Sequence, residues 1–113
     1  MIQLIFNGGS FDQIKKAIAA GANINGTDNF GTTPLMVASI AYNDNNQLVS
    51  YYVEQGADLT AKDFEGRTAL DYALLGFNQK IITLLKSKHA PQGTNLFTNA
   101  INNFNLLIFI IEL

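Results

Sequence analysis

Two stretches of this chain spell nearly the same phrase, and that repetition restricts its architecture more than any other feature. GTTPLMVAS begins at Gly31 and GRTALDYAL begins at Gly66. The likeness extends upstream: AGANINGTDNFG (Ala20 to Gly31) aligns with QGADLTAKDFEG (Gln55 to Gly66). Gly21 matches Gly56, Ala22 matches Ala57, Asp28 matches Asp63 and Gly31 matches Gly66, every pair 35 positions apart. Self-similarity at a period of about 20 to 50 residues is the mark of stacked repeats. One such unit cannot bury its own apolar face, so about three or more must pile together.

Each unit reads as a helix pair. Thr33-Pro34 predicts a helix start, with the hydroxyl capping free N–H groups and the proline ring presetting φ. Thr68-Ala69 repeats the arrangement without the proline. Short helices are expected from Leu35 to Ala41 and from Leu70 to Leu75, followed by the turn segments YNDNNQ and GFNQ. These are rich in turn formers. Second helices follow through LVSYYVEQ and KIITLLKS, with Leu48, Val49, Tyr52 and Val53 in one and Ile81, Ile82, Leu84 and Leu85 in the other. Both sets fall on a single stripe at helical spacing. Gly56 is placed to end its helix in the left-handed conformation. Asp58 to Gly66 is expected to form an extended, hairpin-like link, with Gly66 at a turn position that a side chain would strain.

The combination G-x-T-P-L-x-x-A, helix pair, G-A-D and D-x-x-G resembles the ankyrin repeat, whose usual unit is about 33 residues. The resemblance implies an all-α solenoid of stacked helix-turn-helix units with hairpin-like links. The spacing of 35 places two extra residues in a unit, and Tyr42 to Gln47 is the expected site. The histidine that usually follows T-P-L is replaced by Met36 and Asp71. Asp71 can accept hydrogen bonds near the helix start, whereas Met36 is a poor substitute. The flanks fit with less regularity. Gly9 to Ile24 reads as the second helix of a first unit, with Ile14, Ala17 and Ile18 inward, and MIQLIF as its shortened first helix. GTNLFTNA (Gly93 to Ala100) aligns with Gly31 to Ala38, with Phe97 in the place of Leu35. The link SKHAPQG is short, and Pro91 is expected to cut its hairpin. The whole chain, 1–113, is thus one domain of four approximate units, 1–25, 26–58, 59–91 and 92–113.

Composition narrows the chemistry. With 48% apolar residues the chain can bury a core, and the net charge of -2 is scattered along it. Lys15–Lys16 is the sole adjacent pair of like charges, so no basic footprint for nucleic acid is expected. The most apolar run, Leu106 to Ile111, is far short of the ~20 residues of a membrane-spanning helix. The start of the chain has no basic segment followed by a long apolar one, so no signal peptide is read. The chain contains no cysteine, which fits a reducing, cytoplasmic setting and removes thiol chemistry. The single histidine, His89, takes the place of Gly56 in the next unit and reads as a helix-end residue. Asp28 and Asp63 recur with the repeat, and their expected task is to bind turn N–H groups rather than to do acid–base work. No catalytic, metal or cofactor constellation is expected, and none of the nucleophile or phosphate-loop motifs occurs.

The leading expectation is a non-catalytic module that binds a protein partner. By the ankyrin resemblance, the variable hairpin tips and first-helix starts form the binding face. Here those are Thr27, Asn29, Phe30 and Thr32 in one unit and Lys62, Phe64, Glu65, Arg67 and Tyr72 in the next. Phe30 and Phe64 either present themselves to a partner or fold back onto a neighbouring hairpin. The C-terminal INNFNLLIFIIEL is apolar nearly all round, with Phe104, Leu107, Ile108 and Ile111 as candidate oligomer contacts. A homodimer, another partner, or further units of a longer array would each cover it. Two alternatives to the leading reading are a small bacterial immunity protein that neutralises a toxin and a structural unit that self-assembles through this end.

Overall fold

The computed structural model describes residues 10–40, 45–95, 97–100 and 103–104. They form five helices: α1 (Phe11–Ala19), α2 (Pro34–Ile40), α3 (Asn46–Glu54), α4 (Ala69–Leu75) and α5 (Gln79–Ser87). Residues 97–100 are helical as well, and no strand occurs among the described residues. The expected all-α architecture is therefore what the chain adopts. The first helix foreseen in MIQLIF lies outside the described residues.

α2 packs along α4, and α3 packs along α5, while α2 with α3 and α4 with α5 make the two complete pairs. The core lies between these two layers. Leu35, Met36, Val49, Tyr52, Ala73, Ile81 and Leu85 are all at most 1% exposed. Burying a side chain of this size stabilises by roughly 1.5–3 kcal/mol relative to exposure, which is why the stripe recurs in each unit. α1 joins the outer layer through Ile14, which is buried, and through Phe11, whose ring meets Tyr51 edge-on at 5.4 Å. Between α2 and α3 lie residues 41–45, and between α4 and α5 only 76–78. Of the expected site of the two extra residues, 42–47, residues 42–44 lie outside the described ones.

The helix ends follow from local chemistry. Ser10 and Gln13 form a reciprocal capping box on α1, and Thr68 and Asp71 do so on α4. On α2, Thr33 Oγ1 accepts from the N–H of Met36 at 3.3 Å. Met36 does more than expected: its sulfur accepts from the Thr33 N–H at 3.4 Å, a weak copy of the bond made by Asp71. At the other end, Gly21 and Gly56 have φ of 100° and 85°. Their N–H groups and those of the following residues bond back to Ile18 and Ala17, and to Val53 and Tyr52, closing the same two-bond motif. His89, with φ 60°, closes α5 in that way through Lys86 and Leu85.

Phe97 and the third link set the last unit apart from the others. Phe97 holds the place of Leu35 in the alignment but not in the core: it is 67% exposed, whereas Leu35 is 1% exposed. Asn95 caps this turn, its side chain accepting from the N–H groups of Phe97 and Thr98, and Thr98 is buried like Met36, with which it aligns. The third link has no hairpin like those before it, in line with the shortening at Pro91 read from the sequence. Residues 91–94 run straight onto unit three, with Thr68 donating to the Pro91 carbonyl at 2.8 Å and Gly93 donating to Asp71 at 2.8 Å.

Candidate functional site: a cleft between two hairpin tips

Asp28 and Asp63 shape their hairpins alike. Asp28 Oδ1 accepts from the N–H groups of Phe30 and Thr32, both at 2.9 Å. Asp63 Oδ1 accepts from those of Glu65 and Arg67, also at 2.9 Å. The backbone then turns through Gly31 (φ 78°) and Gly66 (φ 76°), a conformation that costs glycine little. The structural reading of the two carboxylates is thus what the hydrogen bonds display.

The two phenylalanines occupy different places in the repeat. Phe64 corresponds to Asn29, and Phe30 corresponds to Glu65. Stacking nonetheless brings them side by side, because the Phe64 N–H donates to the Phe30 carbonyl at 3.0 Å. The Phe64 ring lies against Gly31 so closely that a Cβ there would fall 2.9 Å from its Cδ1. Even so, Phe30 and Phe64 remain 71% and 80% exposed.

Between the tips and the first helices lies an open cleft of about 390 Å³. Phe30, Phe64, Val37, Ile40 and the Tyr72 ring give it apolar walls; Asp28, Thr32, Asp63, Glu65 and Arg67 supply the polar groups. In unit three, Asp63 finds its partners within its own unit. Asp63 Oδ2 takes the Tyr72 hydroxyl and the Arg67 Nε, the latter at 3.2 Å, and the guanidinium stacks 5.4 Å from the Tyr72 ring centroid. Burial alone would raise the Asp63 pKa, but the Tyr72 hydroxyl, the N–H groups of Arg67 and Glu65 and the Arg67 charge outweigh it and hold it below the ordinary carboxylate value. Tyr72 is pushed up to about 12, first by burial and then by its bond to Asp63.

A second cleft of about 320 Å³ lies on the outer side, lined by Ser50, Val53, Glu54, Leu84 and Lys88. Among the described residues no group of three His, Asp or Glu is placed to hold a metal ion, and no helix is long and apolar enough to cross a membrane.

The family model for ankyrin repeats, in three copies, matches residues 1–99. The chain belongs to the ankyrin repeat family. The ankyrin repeat protein FPV230 of Fowlpox virus (strain NVSL) is 45% identical over 53 residues, a segment covering 47% of this chain and 27% of that protein. Ankyrin repeats are protein–protein interaction modules and are typically non-catalytic, which agrees with the class of function expected from the sequence.

Of the residues expected at an ankyrin binding face, the cleft gathers Phe30, Thr32, Phe64, Glu65, Arg67 and Tyr72. Thr27, Asn29 and Lys62 are exposed but do not line it. Sequence reasoning missed Val37 and Ile40. Both lie on α2, and only the stacking of α4 alongside shows that they border the cleft. It also missed Phe77, which closes α4 with φ 52° while 67% exposed. The glycine in GFNQ precedes the left-handed position by one residue. Of the candidate oligomer contacts, Phe104 is 60% exposed, and Leu107, Ile108 and Ile111 lie outside the described residues.

Proposed function

We propose that this ankyrin domain binds a partner protein in the cleft between the hairpin tips of its second and third units, without catalysis. The observation that carries the reading is the pair Phe30 and Phe64, adjacent, held by a backbone hydrogen bond and largely exposed. Exposed apolar patches of this kind mark interaction sites, and aromatic anchors dominate interface energetics. The tips are held by paired backbone and Asp28 or Asp63 hydrogen bonds, so little entropy is lost on docking. A cytoplasmic partner accords with the absence of cysteine.

The test is a comparison of Phe30→Ala/Phe64→Ala with the wild type. Both side chains are exposed, so melting should be unchanged. Proteins captured from the source cell and identified by mass spectrometry should be retained by the wild type and lost from the variant. Equal capture by both would place the binding face elsewhere. Self-association through the last unit is a second reading, favoured by Phe97 and Phe104 at 67% and 60% exposure. Light scattering on Phe97→Ser/Phe104→Ser decides it: a dimer in the wild type and a monomer in the variant supports this reading, and a monomer in both removes it.

A further inference from the structure

The two hairpins that border the cleft share a backbone but not a charge balance. In unit three, both Asp63 oxygens are occupied: Oδ1 by two N–H groups, Oδ2 by Arg67 and Tyr72. The corresponding positions in unit two are Thr32 and Val37. Neither supplies a cation, and Asp28 has only its Oδ1 engaged. No hydrogen bond or ion pair reaches Asp28 Oδ2 among the described residues. Asp28 lines the same cleft as the exposed residues Phe30 and Phe64. The charge of the cleft is uneven too. Arg67 is consumed by Asp63, which leaves Asp28 and Glu65 without a cation among the lining residues.

We propose that the cleft receives an arginine side chain of the partner protein, its guanidinium paired with Asp28 Oδ2 and stacked on the aromatic wall. This rests on the reading that the cleft is the binding face, and adds what the partner must bring to it. The model for the contact is within the molecule: Arg67 pairs with one hairpin carboxylate while lying over an aromatic ring. A planar guanidinium can do both at once, whereas an ammonium meets the carboxylate as a point charge. Cation–π attraction strengthens when the pair is partly desolvated. The cleft volume of about 390 Å³ is near the lower end of the roughly 300–1,000 Å³ of small-ligand sites, a size suited to one long side chain.

The probes are four acetylated pentapeptide amides, Gly-Leu-X-Leu-Gly, with X as arginine, lysine, citrulline or glutamate. Each is titrated into the full chain while amide chemical shifts are followed. The arginine peptide is expected to move the amides of Phe30, Thr32 and Phe64, and to bind about tenfold more tightly than the citrulline peptide, which keeps shape and loses charge. Asp28→Asn retains the Oδ1 acceptor of the turn and should remove that preference. Thr32→Arg, which places in unit two the cation that unit three already has, should close the site, with melting measured on both variants to confirm folding. If arginine and citrulline peptides move the cleft amides equally, the arginine inference is overturned and the binding face survives. If lysine binds as well as arginine, the guanidinium argument fails. If no peptide moves those amides, the inference and the binding face fall together.

Discussion

At the level of single residues, the positions where repeat copies differ are the most informative. Gly21, Gly56 and His89 perform one task with two chemistries. A residue with a Cβ in the left-handed region costs on the order of 1 kcal/mol more than glycine. His89→Gly should therefore stabilise the fold by about 1 kcal/mol, read as a higher denaturant midpoint with an unchanged slope. No change would mean that His89 makes compensating contacts. Tyr52 is a different case. It is fully buried, its hydroxyl has no hydrogen-bond partner among the described residues, and burial raises its pKa. An unpaired buried hydroxyl costs about 1–3 kcal/mol, so Tyr52→Phe should raise the melting temperature. A fall would reveal a partner for that oxygen. Asp63 gives a pH signature. Its folded pKa is depressed, so its contribution is complete above the ordinary carboxylate value of about 3.9 and is lost as pH falls through the lower folded value. Asp63→Asn should be less stable than wild type at neutral pH, and the gap should narrow in acid below about pH 4. A gap that stays constant with pH would show that ionised Asp63 adds nothing.

At the level of elements, the links between units differ more than the helices do. The first two are hairpins written in the sequence as D-x-x-G, and the aspartate and glycine roles were legible because local hydrogen bonds suffice to specify them. The third link was legible only as a shortening. Its geometry depends on Gly93 meeting the Gly66 carbonyl and the Asp71 carboxylate from another unit, which no local pattern encodes. A Cβ at position 93 would collide with both. Gly93→Ala should destabilise by more than the roughly 0.5 kcal/mol of an ordinary surface change. A melt within experimental error of wild type would mean that 91–94 does not sit on unit three. Phe97 illustrates the same limit: alignment put it with buried Leu35, but burial requires a further surface on its outer side.

For the molecule as a whole, the fold was readable from one fact, that each unit repeats an apolar stripe it cannot cover alone. The dimensions, 48 × 26 × 24 Å, are those of an elongated stack. The candidate site was only partly readable. Six of the nine expected tip residues converge on the cleft, yet the sequence alone could not say that Phe30 and Phe64 would be neighbours, since they hold different places in the repeat. Nor could it show that Asp63 is satisfied while Asp28 keeps an open oxygen. The first follows from how one unit seats on the next, the second from Arg67 and Tyr72 standing where unit two has Thr32 and Val37. That seating is the claim on which the cleft depends, and it has a direct spectroscopic reading. The Phe64 ring against Gly31 should displace the Gly31 α-proton shifts through its ring current, with cross-relaxation between ring and α-protons, and Phe64→Leu should abolish both. Gly31 α-protons at unperturbed positions in the wild type, without cross-relaxation to Phe64, would contradict the abutting tips and the cleft they enclose.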